Sequence, residues 1–230
     1  MTSHENKPFP NVNILGLKLY DFVENSANKY FPNVGTLSLK SKLPSNVSTD
    51  KLLDDLSEIC SLSNLKSLIL IDATYPTDFL VKLFKKTSQI YSLRCSSKIL
   101  SKMSNDLDQL KHIVKRLYIE SYEEDNSKMM KKLCLALINL EYLSVNMING
   151  NDLYLLLSVI LRTMTRQKLN SLTIQLNYEK FESLTLMSWL NDYISLNSIQ
   201  CEIEHEPSSN CLDILFNDKL SRFCCDDIAL

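Results

Sequence analysis

The side chains in this sequence best suited to chemistry are thiols and imidazoles, and their spacing sets how far that chemistry goes. Seven cysteines and three histidines occur in 230 residues. Cys201, His205 and Cys211 invite a metal reading, with Cys224 or Cys225 as a fourth ligand. Closed zinc sites usually bring their ligands in closely spaced pairs, a pattern this set does not follow. Cys201 also falls at a core-facing position, where a thiol behaves as a small hydrophobe. A nucleophilic Cys–His pair would have to come from Cys95, Cys134, His112 and His205. None of them lies in a recognisable signature, and activation needs a base within hydrogen-bond reach of the nucleophile. His112 ends a helical stretch, where a cation offsets the helix dipole. The Glu123-Glu124-Asp125 run lacks the alternating oxygens and glycine of a calcium loop and suits a helix N-terminus instead. The expectation is no metal, no cofactor and no enzymatic activity.

Composition narrows the field in the same direction. The three glycines, Gly16, Gly35 and Gly150, cannot be assembled into a phosphate loop or a dinucleotide fingerprint. An odd number of cysteines without a Cys-x-x-Cys argues against a disulfide framework and for a reducing, cytoplasmic or nuclear, compartment. The formal net charge of −2, without a long single-sign block, speaks against nucleic acid as the partner. The polar stretch Met1 to Pro10 is not a signal peptide. The longest apolar run, Leu153 to Leu161, is about half the ~20 residues a membrane helix needs, so no membrane association is expected. The sequon Asn46-Val47-Ser48 is read as chance.

The elements that would position any site follow from a phrase stated twice. Phe9-Pro10-Asn11-Val12-Asn13-Ile14-Leu15-Gly16-Leu17 returns as Phe31-Pro32-Asn33-Val34-Gly35-Thr36-Leu37-Ser38-Leu39. Both read apolar-x-x-apolar-x-x-Leu-x-Leu, in which alternate residues face a core. The same template recurs with its first leucine-like position at Leu15, Leu37, Leu68, Leu93, Leu117, Leu143, Leu172 and Ile199, between 22 and 31 residues apart. Between the phrases the apolar period shifts to the helical value. Helices are expected from Asp50, from Pro76, over Asp125 to Leu137, from Asn151 or Asp152 through Leu161, and over Asn177 to Ile194. Lys18 to Lys29 and Ser97 to Leu110 are further helical stretches. The Met129-Met130 pair is read as core.

The fold expected is α/β: a leucine-rich repeat solenoid of about eight strand-helix units, with a parallel sheet on the concave face and helices on the convex face. Residues 1–8 form a polar extension, 9–216 the repeat domain and 217–230 a tail. Cys211 to Phe216 adds a final strand or capping piece after the break at Pro207-Ser208-Ser209-Asn210. Because a solenoid needs its first edge covered, something is expected to cap the first phrase: a partner chain, a dimer mate or a further domain.

Strand alternation then lists the solvent-facing residues without a structure. The middle of that face carries Ile69, Ile71, Arg94, Arg116, Tyr118, Glu120, Tyr142 and Asn146. Arginine, tyrosine and exposed isoleucine are what interface hot spots are built from, so these residues are expected to bind a protein on the concave face.

The phrases Tyr30-Phe31-Pro32-Asn33-Val34, Leu62-Ser63-Asn64-Leu65-Lys66-Ser67-Leu68 and Lys115-Arg116-Leu117-Tyr118-Ile119 resemble the leucine-rich repeat region of F-box proteins. That resemblance implies a non-catalytic substrate-recognition part of a ubiquitin-ligase receptor, with a cullin-ligase adaptor as partner only where an F-box is present. No F-box is visible, and Leu43-Pro44 is read as a turn. The Asn or Cys that typical repeats carry three residues after the second leucine is matched only at Asn177. The alternative is a free-standing interaction or inhibitor protein with the same surface and no link to ubiquitin.

Overall fold

The computed structural model describes residues 7–19, 29–40, 48–71, 75–111, 113–122, 127–148, 153–164, 169–176, 183–206 and 210–216. The body of the helix expected between Lys18 and Lys29, the Leu43-Pro44 turn, His112, Glu123-Glu124-Asp125, the caps Asn151 and Asp152, Asn177 and Cys224-Cys225 lie outside them.

The repeated phrases become strands. β2 (Ile14–Lys18), β4 (Thr36–Lys40), β5 (Ser67–Ile71), β6 (Ser92–Cys95), β7 (Arg116–Tyr122), β8 (Tyr142–Met147) and β9 (Ser171–Leu176) lie side by side in chain order, each parallel to the next. Their register runs Leu15, Leu37, Leu68, Leu93, Leu117, Leu143, Leu172 in one unbroken row. From Leu37 onward each of these leucines is fully buried. A buried leucine is worth about 1.5–3 kcal/mol, so a one-residue slip that turned the row outward would cost more than the fold's net stability.

The segments between the strands form α1 (Thr49–Ile59), α2 (Thr77–Lys86), α3 (Ser97–Lys102), α4 (Ser127–Ala136), α5 (Leu153–Met164) and α6 (Ser183–Leu196). Each of the longer helices buries one stripe. α1 contributes Leu52, Leu53, Leu56 and Ile59; α2 contributes Phe79, Leu80, Leu83 and Phe84; α4 contributes Met129, Met130, Leu133 and Cys134. On the outer surface Lys82 meets Asp50 at 2.8 Å and Asp78 at 3.0 Å, and Lys86 meets Asp54 at 3.3 Å, lacing α1 to α2. α3 stops at Lys102, well short of Leu110. Ile99, Leu100, Met103, Leu107 and Leu110 are all buried, but Ser104-Asn105-Asp106 prefer turn hydrogen bonds to helical ones, and the chain continues as turns and a short 3-10 segment, Leu107–Gln109. Among the described residues no helix is long and apolar enough to cross a membrane.

At the start of the chain the residues just before each copy of the repeated phrase make a second, smaller ladder. β1 (Lys7–Pro8) pairs in parallel with β3 (Lys29–Tyr30). Phe9 stacks on Phe31 with ring centroids 5.2 Å apart, and the Asn33 amide donates to the Pro10 carbonyl at 2.9 Å.

The closing end departs from expectation. Among the described residues the sheet has nine strands, ordered β10-β11-β9-β8-β7-β6-β5-β4-β2, where β10 is Cys201–Glu206 and β11 is Cys211–Phe216. β11 inserts between β9 and β10 and is antiparallel to both. The eighth phrase therefore does not form an eighth parallel unit. Its Leu196 ends α6 and is 84% exposed, Ser198 takes a positive φ of 53°, and the strand begins only at Cys201. The leucine-rich repeat solenoid of eight like units is accordingly corrected to an α/β fold with a mostly parallel nine-stranded sheet closed by an antiparallel hairpin. The hairpin wins because Leu212, Ile214 and Phe216 carry more apolar surface into the core than Ile199 and Cys201 offer.

Candidate functional site on the open face of the sheet

Inward side chains alternate with outward ones along every strand, and the outward side stays partly exposed: in β5, Ser67, Ile69 and Ile71 alternate with buried Leu68 and Leu70. Register places Ile69, Arg94, Tyr118, Ser144, Thr173 and Asp213 in one row across five parallel strands and β11. A second row holds Arg116 opposite Tyr142. A third begins Lys18, Lys40, Ile71 and ends Asn146, Gln175, Cys211. All eight residues expected on this face from alternation are on it.

Their side chains form two linked groups. The Arg94 guanidinium donates through Nε to Glu120 Oε1 at 2.6 Å, with both side chains about one-third exposed. The Tyr118 and Tyr142 rings are tilted against each other with centroids 5.1 Å apart, across the β7–β8 boundary. Burial pushes the Tyr118 phenol above its ordinary value, opposed by the charge and hydrogen bond of Arg116 beside it. Burial likewise pushes Tyr142 up, opposed by its hydrogen bond to Thr173. The Tyr142 hydroxyl and Thr173 Oγ1 are 3.3 Å apart, and Thr173 Oγ1 donates in turn to Asp213 Oδ1.

β7 carries a bulge. Ile119 pairs with Val145 and Tyr122 with Met147, so Glu120 and Ser121 together oppose Asn146. The extra residue turns Tyr122 inward, where it is 2% exposed. Near the carboxyl ends of these strands, Asn146 Oδ1 and Ser96 Oγ are buried without a hydrogen-bond partner among the described residues. Orphaned buried oxygens are uncommon and mark a place where a further polar group belongs.

Simple alternation did not bring Thr173 and Asp213 into the site. Asp213 lies in the final strand or capping piece, Cys211 to Phe216, whose direction the sequence leaves open, and Thr173 joins the site only through it. The alternation of Leu212, Ile214 and Phe216 around Asp213 was the available signal.

The thiols and histidines do not converge. Cys201 and His205 pair with Phe216 and Leu212 on the core side of β10, whereas Cys211 pairs with Glu206 on the opposite side. Among the described residues no group of three His, Cys, Asp or Glu side chains is arranged to hold a metal. Cys60, Cys95, Cys134, Cys201 and Cys211 are free thiols. Burial pushes Cys60 up to about 11 and Cys134 up to about 12, and pushes Cys95 higher still, so these three are protonated and unreactive near neutral pH.

No protein-family model matches the chain, and no curated protein matches it. Among solved structures it is similar to archaeal TYW1, at 9% identity over 77% of this chain and 74% of that one, with a TM-score of 0.41. It is also similar to TYW1 with a lysine-pyruvate adduct bound, at 11% identity over 74% of this chain and 61% of that one, with a TM-score of 0.38. Similarity this low carries nothing about activity or substrate to the present chain. The family expectation is corrected on other grounds: no family model supports a leucine-rich repeat or F-box resemblance, and the sheet closes with an antiparallel pair in place of an eighth like unit. The reading as the substrate-recognition part of a ubiquitin-ligase receptor, or as a free-standing leucine-rich repeat inhibitor, rested on that resemblance and is withdrawn with it; the expectation of no enzymatic activity is likewise not carried forward.

Proposed function

We propose that the open face of the sheet is a recognition surface for a protein partner, centred on Arg116, Tyr118 and Tyr142. The observation that supports this most is the Tyr118–Tyr142 pair, half-buried at the middle of an otherwise small, polar face and flanked by Arg116 and the Arg94–Glu120 ion pair. Tyrosine and arginine present large contact area together with a polar end, and they dominate interface energetics for that reason. Ile69 and Ile71 extend the apolar part toward β5, and Asn146 brings an unpaired oxygen to its other side.

The test places a photo-crosslinking side chain at Ser144, on this face between Tyr118 and Thr173, and as control at Leu155, an exposed position on α5. A protein crosslinked from Ser144 and not from Leu155 is expected. Combining Arg116→Glu with Tyr118→Ala should weaken its capture at least about thirtyfold, since each hot-spot truncation costs about 2 kcal/mol or more, while the chain stays folded and its thermal midpoint falls by only about 2–4 °C per kcal/mol of lost ring contact. Equal crosslinking from both positions, or capture that survives the double substitution, removes this assignment.

A further inference from the structure

The open face is electrically polarised along the strand order. Lys18, Lys40, Arg94 and Arg116 lie on β2 through β7, against the single carboxylate of Glu120. Beyond β8 the sign reverses. Asp213 on β11 and Glu202, Glu204 and Glu206 on β10 share the outward side, because Glu204 pairs with Asp213 and Asp213 with Thr173. No outward cation stands on β9, β10 or β11. Neither Glu202 nor Glu204 makes an ion pair among the described residues. The boundary between the two signs runs along β8, where the Tyr118–Tyr142 pair and the orphaned Asn146 oxygen sit.

We infer that the partner of this face is a protein carrying an acidic segment and a basic segment about 30 Å apart, the six to seven strand spacings from β4 to β11 and β10 at about 4.8 Å each, docked with its acidic segment over β2–β7 and its basic segment over β10–β11. This rests on the open face being a protein-binding surface, and adds to it the charge pattern and the orientation of what binds. Opposed potentials of this kind fix register and reject partners docked the other way round, because reversal sets like charges against each other at both ends. A metal ion is not the ligand the carboxylates suit: they stand along β10 and β11 with no group of three among the described residues arranged to hold one. A uniformly basic polymer fits only one end and is repelled at the other.

The experiment uses the full chain and a synthetic probe. A peptide with a block of about six glutamates, a flexible Gly/Ser linker of about 25–30 residues to span about 30 Å, and a block of about six lysines is titrated in about 0.1 M salt. Each block alone, and a peptide of the same composition with Glu and Lys alternating, serve as controls. The two-block peptide is expected to bind at least about tenfold more tightly than either block, because the second contact is intramolecular. Glu202→Lys with Glu204→Lys should reduce it to the level of a single block, and so should Lys18→Glu with Lys40→Glu; all four positions are exposed. Equal binding of the alternating peptide, or no effect of either pair, overturns the inference. Crosslinking from Ser144 that persists while the two-block peptide shows no advantage means that the face binds without reading charge polarity. Silence in both assays removes the face as a site.

Discussion

The two ends of the sheet solve the same problem by different means. At the opening end β2 and β4 are successive parallel strands in full register from Ile14 opposite Thr36 to Lys18 opposite Lys40, and the phrase that forms them is stated twice in the sequence. At the closing end β10 and β11 are an antiparallel pair, and the later strand lies inside the earlier one. Parallel neighbours need a crossover segment between them, whereas antiparallel neighbours need only a short connection. Four residues, 207–210, separate β10 from β11. A connection that short can still bring a strand over the last core leucines, provided the chain turns back. The difference shows that repetition in sequence reports the parallel part of the sheet and is blind to its closure.

The largest effects should come from breaking this order. Leu212 on β11 is fully buried and faces Ile174, while Ile203 on β10 is half-buried. Leu212→Ala is expected to cost about 2–5 kcal/mol in urea unfolding, like Leu37→Ala at the opening end, and Ile203→Ala about 1 kcal/mol. If the costs of Leu212→Ala and Ile203→Ala were exchanged, β10 and not β11 would lie against β9, as the eighth sequence phrase suggested. Amide hydrogen exchange offers an independent measure: β10, paired on one side only among the described residues, should exchange ahead of β11 and β9.

Most of the sheet was legible because leucine at every second position leaves one reading of which side is buried. The row from Leu15 to Leu172 and the outward positions of Ile69, Arg94, Tyr118 and Tyr142 all follow from it. Legibility failed where a local event breaks the alternation. The bulge at Glu120 and Ser121 turns Tyr122 inward, and nothing in the string Ile119-Glu120-Ser121-Tyr122 announces the extra residue. Leu196-x-x-Ile199-x-Cys201 satisfied the template by composition alone, though Leu196 is spent on the end of a helix. The partners Thr173 and Asp213 depend on β11 lying beside β9, a fact of strand order that no periodicity encodes.

At the opening end a buried tyrosine hydroxyl ties two strands together. Tyr75, fully buried, donates toward the Leu39 carbonyl at 2.6 Å and lies 3.0 Å from the Ile71 carbonyl, tying the ends of β4 and β5 together. Tyr75→Phe leaves both carbonyls short of that donor and should cost about 1–3 kcal/mol, measured by the same unfolding midpoint. A cost near zero would mean that water reaches those carbonyls.

Thiol ionisation separates the two ends by pH. Cys60, bridged to the small ladder through Phe31, is pushed up by burial from 9.0 to about 11. Between those values the unfolded chain has lost the proton that the folded chain keeps. The stability contributed is therefore fully present below about pH 9 and is lost as pH rises through about 11. Cys60→Ala should flatten part of that fall, whereas Cys201→Ala, at the half-exposed edge strand, should change the pH profile little. Equal flattening by the two substitutions would show that Cys60 is less enclosed than its surroundings indicate.

The smallest effect tests whether the charges of the open face serve the fold at all. Arg94 and Glu120 meet at 2.6 Å but remain 37% and 30% exposed, so water competes for both. A double-mutant cycle with Arg94→Met and Glu120→Gln should return a coupling of about 0.2–1 kcal/mol, the range of solvent-screened pairs, and it should shrink with added salt. That leaves several times more energy in a single leucine of the row beneath than in the ion pair above it. A coupling well beyond that range, insensitive to salt, would place the pair among the structural contacts. The expected small value would mean that an arginine and a glutamate held together at the centre of this face contribute little to holding the sheet, and that their position is better explained by what the face meets.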